Sequence, residues 1–188
     1  MQLSPQRAAK GRDGSPLALS IGGLGLPYAK MGLKCRYAGA VRDGDARWMS
    51  YAVELAGRSP RSASAFAVGS VIVDPGGREV SAGWSRDTDP LVHAEESALL
   101  KAAGADLGEC TLYSTLEPCS KRAHRPDATC TSLILAARIP RVVIAWREPD
   151  IFVTCEGVAL LTASGVRVVE LAEFAPQARA VNGHLPGL

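Results

Sequence analysis

The sequence predicts an α/β fold: a three-layer α/β/α sandwich around a mixed five-stranded sheet. A hairpin reads directly from residues 66–84. A β-branched run at 66–73 meets the turn Asp74-Pro75-Gly76-Gly77, and a second run returns over 78–84. Beyond it, helix-like and strand-like stretches alternate to residue 171, the pattern of a sheet covered on both faces. The chain has 188 residues, enough for one domain with a substantial core.

The elements follow in order. Residues 1–44 are rich in glycine and basic residues and show little periodicity, so a poorly ordered N-terminal extension is expected there. The apolar stretch 17–26 is short and follows Pro16. It is broken by Gly22, Gly23 and Gly25, so neither a signal peptide nor a membrane helix is expected. From Asp45 the pattern sharpens. Trp48, Met49, Ala52, Val53 and Leu55 recur at helical spacing, and Gly57 ends the run. After the hairpin, residues 92–103 read as a helix with Ala94, Ala98 and Leu99 on its apolar face. Strands are expected at 111–116, 141–146 and 166–171, with helices at 128–137 and 157–164 between them. Residues 45–172 form the expected domain, and 173–188 a C-terminal tail.

Composition excludes several classes. Hydrophobic residues make up 47%, ordinary for a globular protein, and the formal charge is +2. That charge is too small for a dedicated nucleic-acid binder, and no membrane partner is expected. The five cysteines (Cys35, Cys110, Cys119, Cys130, Cys155) are an odd set without framework spacing. Metal-bound thiols in a cytoplasmic protein fit better than disulfides. Cys110 opens a strand, where a free thiol packs as a small hydrophobe. Cys35 and Cys155 receive no role.

The chemistry lies in His93-Ala94-Glu95, Pro118-Cys119 and Cys130. One imidazole and two thiolates fill three positions of a tetrahedral Zn²⁺ and leave the fourth for water, whose pKa the metal lowers. A nearby carboxylate that is not a ligand moves protons. His, then Glu two residues on, then Pro-Cys and a second Cys is the pattern of zinc-dependent base deaminases. His93, Cys119 and Cys130 are therefore the candidate ligands, and Glu95 the candidate catalytic residue. Glu96 suits the plainer role of a first-turn carboxylate. Cys155 is the other downstream cysteine available as third ligand. The cysteine spacing is wide, with ten residues, 120–129, between Cys119 and Cys130. His93 and Glu95 fall at one helix start and Cys130 at another, so two positive dipole ends converge on the metal.

At these residues the chain resembles the cytidine deaminase-like superfamily, and most closely the deaminase domain of the bifunctional riboflavin-biosynthesis deaminase/reductase. Thr115-Leu116-Glu117-Pro118-Cys119-Ser120, the basic insert Lys121, Arg122, His124, Arg125, and then Cys130 carry the resemblance. Arg141-Val142-Val143-Ile144-Ala145, Gly157 and Gly165-Val166 are also similar to that family. The resemblance implies a zinc-dependent hydrolase acting on a cyclic amidine, a deaminase domain over 45–172 and a small pyrimidine substrate; within 188 residues no reductase domain is expected. The substrate expected is the riboflavin pathway's diamino-ribosylamino-pyrimidinone phosphate. Where that family has Pro-Asn-Pro-x-Val-Gly, this chain reads Ser64-Ala65-Phe66-Ala67-Val68-Gly69, which is similar to the free cytidine deaminases. Cytidine or deoxycytidylate is thus the alternative substrate, and a zinc-stabilised binding protein without turnover is another reading. A nucleic-acid-editing deaminase fits less well, because few aromatics accompany the near-neutral charge.

Lys121, Arg122 and Arg125 are candidates for binding a substrate phosphate, since guanidinium forks match phosphate oxygens; a solvated loop is the plainer reading. Phe66 is a candidate pocket wall, with core packing as its alternative. Trp84 and Trp146 are expected to pack in the core or at its rim. A homo-oligomer, dimer or larger, is expected.

Overall fold

A computed structural model of the chain describes residues 41–149, 155–186 and 188. The expectations for residues 1–40, Cys35 among them, lie outside the described residues. The elements are α1 (Asp45–Ala56), β1 (Gly69–Val73), β2 (Glu79–Trp84), α2 (Ala94–Lys101), β3 (Thr111–Ser114), α3 (Cys130–Ala136), β4 (Arg141–Ile144), α4 (Gly157–Ala163), β5 (Arg167–Glu170) and α5 (Ala175–Val181), the last entered through a 3₁₀ turn at Ala172–Phe174.

The sheet order is β2-β1-β3-β4-β5. β1 runs antiparallel to β2 and β3, whereas β3, β4 and β5 are parallel. This is the expected mixed sheet. Its two faces follow from the register and the two-residue period of strands. One row across the sheet is Ala82, Val71, Tyr113, Val143 and Val169, which packs with Met49, Ala52 and Leu55 of α1 and Ala178 of α5. The next row is Ser81, Ile72, Leu112, Val142 and Val168. Ile72, Leu112, Val142 and Val168 face Ala98 of α2, Ile134 of α3 and Leu161 of α4. Strands β3 and β4 are buried throughout, as parallel strands covered on both sides must be.

A buried ion pair ties α1 to the sheet. The Arg141 guanidinium on β4 grips Asp45, the first residue of α1, with Nη1–Oδ1 at 2.9 Å and Nη2–Oδ2 at 2.7 Å. Tyr113 Oη donates to Oδ1 at 2.7 Å and the Arg42 N–H to Oδ2 at 2.7 Å. The carboxylate also sits where the helix dipole favours negative charge. Burial pushes the Asp45 carboxyl up, but these hydrogen bonds outweigh it and hold the group below its usual range.

Helix α2 lies close on β2 because Gly83 has no side chain. A Cβ there would stand 2.7 Å from the Ala94 carbonyl oxygen and from the Ala98 nitrogen. The missing side chain therefore sets how near the start of α2 comes to the sheet.

Residues 173–188 differ from the expected tail. Their short alanine-rich stretch carries little apolar periodicity, yet α5 packs Ala178 into the core beneath α1, and Leu185 is buried beside it. The Asn182 amide then binds the Ala67 backbone in both directions, accepting at 2.7 Å and donating at 2.9 Å. His184 Nε2 lies 2.9 Å from the Ser62 carbonyl. Tertiary burial thus orders a segment whose own pattern is weak.

Replacing Asp45 with Ala should lower stability by about 3–5 kcal/mol, because Arg141 is left charged and buried without its main partner. The wild-type advantage should be complete above the unfolded carboxyl value of about 3.9 and shrink as pH falls through the lower folded value. Urea melts of both proteins between pH 3 and pH 7 test this, and an undiminished gap at low pH contradicts it.

Candidate metal centre and its cavity

The extended backbone of His93 ends the loop before α2 and makes it that helix's N-cap. Cys119 follows β3 through the turn 115–118. Cys130 is the first residue of α3. The parallel pairing of β3 and β4 places the exit of β3 beside the start of the crossover helix α3.

His93 Nδ1 lies 3.5 Å from Cys119 Sγ and 3.4 Å from Cys130 Sγ. The three donor atoms all fall within 4.8 Å of one another. Helix α3 is anchored to the same turn: the Cys130 N–H points to Cys119 Sγ at 3.4 Å, and the Thr131 N–H and hydroxyl both donate to the Cys119 carbonyl, at 3.1 and 2.9 Å. Thr129 caps the helix by accepting the Ser132 N–H at 3.2 Å.

This set fits a tetrahedral zinc. Ligand bonds of about 2.0 Å to nitrogen and 2.3 Å to sulfur place those atoms about 3.5 Å apart. The electrostatics agree. A hydrogen bond from Cys130, against the opposing effect of burial and with help from His93, draws the Cys119 thiol far below its usual range. The same contact with Cys119, added to burial, drives the Cys130 thiol far above it. Two adjacent buried thiols cannot both ionise without a cation between them, and a divalent metal relieves that conflict. For His93, burial disfavours the charged form, but the contact with Cys119 and the charges of Cys119 and Glu95 raise its pKa on balance.

Glu95 lies beside the donors on the first turn of α2. Its Oε1 accepts the Ser114 hydroxyl at 2.8 Å, and its Oε2 is 3.4 Å from Cys130 Sγ. Burial raises its pKa, against the opposing charge of His93. Glu95, His93 and Cys119 open onto a cavity of about 370 Å³, within the range of small-ligand sites. Phe66 and Leu116 line it, as do Arg86, Lys121, Arg122, His124 and Glu148. Arg86 adopts φ +61° and uses its guanidinium on the loop opposite, donating to Pro60 O at 2.9 Å and Phe66 O at 3.1 Å.

The structure therefore places Phe66 in the cavity wall, where it also meets Trp146 edge-on at 6.0 Å. Lys121 lines the mouth with its side chain 62% exposed and its ammonium 3.8 Å from the Glu156 carboxylate. The other basic candidates are revised. Arg125 is not among the residues lining the cavity; it turns back to pair with Glu96. Arg122 lines the cavity, but its charge pairs with Glu96 at 2.7 Å. The reason is that Glu96 is itself buried, and a buried carboxylate needs cationic partners. Cys155 stands apart from the donor set, with its thiol 3.5 Å from the Pro118 carbonyl. Burial pushes that thiol up to about 12. Trp84 and Trp146 pack at the rim and in the core, outside the cavity lining.

Sequence reasoning missed Ser114, which holds Glu95, and Glu148, a cavity carboxyl pushed up to about 7 by burial. It also missed Glu117, whose carboxylate accepts the Val158 N–H of α4 at 2.8 Å and the Glu148 N–H at 3.4 Å. Ser114 ends β3 and Glu148 follows β4. The tendency of open α/β sheets to bind ligands beyond the carboxyl ends of their strands was the signal that marked both.

Residues 42–146 match the sequence model described as the cytidine and deoxycytidylate deaminase zinc-binding region. Among known proteins, the chain is similar to the diaminohydroxyphosphoribosylamino-pyrimidine deaminase of Schizosaccharomyces pombe, 42% identical over 74% of this chain and 35% of that one. Among solved structures it is similar to the diaminohydroxyphosphoribosylaminopyrimidine deaminase/5-amino-6-(5-phosphoribosylamino)uracil reductase of Thermotoga maritima. That match has TM-score 0.61 and 32% identity, over 72% of this chain and 38% of that one. It is also similar to RibD of Acinetobacter baumannii, with TM-score 0.65 and 31% identity, over 75% of this chain and 38% of that one. The chain spans about a third of the length of the S. pombe relative, as its 35% coverage states. The family match runs from the approach to α1 through β4 and includes all three donors, so the chain belongs to the cytidine and deoxycytidylate deaminase zinc-binding family.

Proposed function

We propose that this chain is a zinc-dependent deaminase of an aminopyrimidine ring, and that its substrate is the riboflavin-pathway diamino-ribosylamino-pyrimidinone phosphate. The observation that carries this reading is the placement of Glu95, a buried carboxylate at the edge of a His-Cys-Cys donor set and open to a ligand-sized cavity. Similarity to the S. pombe deaminase supports the choice of substrate.

In this reading His93, Cys119 and Cys130 hold zinc, which when bound supplies Lewis-acid activation of a water. Glu95 would take a proton from the attacking water as the water's oxygen bonds to the amine-bearing ring carbon. It would pass one water proton to the adjacent ring nitrogen and the other to the departing amine, so that N=C–NH₂ and water become HN–C=O and ammonia. Ser114 holds the carboxylate in place through these transfers. Phe66 offers an apolar wall for the ring, and Lys121 at the exposed mouth meets the substrate phosphate. Arg122 and Arg125, engaged with Glu96, add positive potential behind it.

The decisive test is ammonia release from the zinc-loaded protein with the riboflavin-pathway intermediate, its dephosphorylated form, cytidine and deoxycytidylate. Turnover should be greatest on the phosphorylated intermediate, and Lys121→Gln should raise KM for it while sparing the dephosphorylated form. Turnover on cytidine or deoxycytidylate alone moves the reading to that substrate, and no ammonia from any compound overturns deamination.

Glu95→Gln should retain zinc and fold yet lose about 10²–10⁴-fold in rate, the worth of a general acid/base. Near-normal turnover in that variant refutes its role.

Cys119→Ser and Cys130→Ser should each lose zinc in elemental analysis, whereas Cys155→Ser should keep it. Full zinc in Cys130→Ser would remove Cys130 from the ligand set.

A further inference from the structure

One buried guanidinium binds the chain two residues before each of two donors. Arg122 lies three residues after Cys119, and its side chain is 5% exposed. Its Nη2 donates to the carbonyl of Leu91, two residues before His93. Its Nη1 donates at 3.1 Å to the carbonyl of Ala128, two residues before Cys130. The same Nη2 pairs with Glu96 Oε2 at 2.7 Å, and that oxygen accepts the His93 backbone N–H at 3.4 Å. Arg125 closes the group on the other oxygen of Glu96.

We propose that Arg122 and Glu96 are positioning residues for the metal donors: a clamp that closes the ten-residue loop between the cysteines and holds His93, Cys119 and Cys130 at ligand spacing. The physical problem is real. A wide loop between two ligands costs closure entropy, and the bonds from the seven-residue α3 to the Cys119 turn fix neither the loop itself nor His93. A planar guanidinium can hold several acceptors in fixed directions at once, which a lysine ammonium on its flexible stem cannot. Both carbonyl contacts of Arg122 reach backbone two residues from a donor, and Glu96 accepts the N–H of His93 itself, so the clamp acts on ligand geometry. The Glu96 carboxylate gains from the arrangement as well, since two guanidiniums and a helix N-terminus offset its burial.

The inference rests on the zinc reading of the donor set, and its test reads the metal without substrate. Zn²⁺ affinity would be measured by chelator competition on wild-type protein, Arg122→Lys, Arg122→Gln, Glu96→Gln and Arg125→Gln. Co²⁺ spectra of the same proteins would report thiolate geometry. Arg122→Lys, Arg122→Gln and Glu96→Gln should each weaken zinc by about 10–100-fold, the usual effect of losing a group that orients ligands. They should also shift the Co²⁺ ligand-field bands, whereas Arg125→Gln, with its side chain 41% exposed, should change both less. Glu96→Gln combined with Arg122→Gln should lose little more than either alone. Glu96→Gln keeps the side chain's volume and serves as the second variant if Arg122 replacements fail to fold. Wild-type zinc affinity and spectra in both Arg122→Lys and Glu96→Gln overturn the clamp. So does an Arg122 variant that raises only KM for a phosphorylated substrate, because that result makes Arg122 a phosphate contact. A wild-type chain that takes up no zinc overturns the metal reading, and the clamp with it.

Discussion

The parallel pairing of β3 with β4 is the constraint from which the site follows. Parallel strands need a crossover, and here the crossover is the turn 115–118, the loop 120–129 and α3. The exit of β3 and the start of α3 therefore meet at one edge of the sheet. Helix α2, pressed onto β2 over Gly83, brings a second helix start to the same edge. His93, Cys119 and Cys130 meet there because three backbone termini meet there. Ser114, at the end of β3, is the natural support for Glu95, and Glu148, after β4, reaches the same cavity.

Buried charge is handled the same way in two distant places. Asp45 on α1 is held by Arg141 and Tyr113 from the sheet, and Glu96 on α2 by Arg122 and Arg125 from the loop. In both, a carboxylate on a helix's first turn meets a guanidinium from another segment. Such pairs are poor sources of net stability, since hydrophobic replacements often serve as well. Their geometry is specific, however, and each fixes where a helix begins. At α2 that beginning carries His93 and Glu95.

The cavity wall depends on the far end of the chain. In the segment that leads into β1, the Asn182 amide binds Ala67 in both directions, and the Arg86 guanidinium secures the Phe66 and Pro60 carbonyls. A C-terminal helix with a weak pattern of its own thereby shapes the pocket in which a ring would sit.

By itself the sequence determined the alternation of elements, the hairpin turn at 74–77, the helix starts and the candidate donors that the structure brings together. Those features are written in local periods, in turn residues and in the chemistry of His, Cys and Glu, all of which act over a few positions. The partners of the insert's charges were not legible. Lys121, Arg122 and Arg125 form one basic run, and a run of charges carries no record of which carboxylate will be buried beside it. The fold separates them, leaving Lys121 at the cavity mouth beside the exposed Glu156 and turning the two arginines to the buried Glu96. The order of residues 173–188 and the support of Glu95 by Ser114 were likewise decided only by tertiary structure. Each depends on a contact between residues far apart in the chain, and such contacts exist only once the sheet has brought its strand ends to one edge.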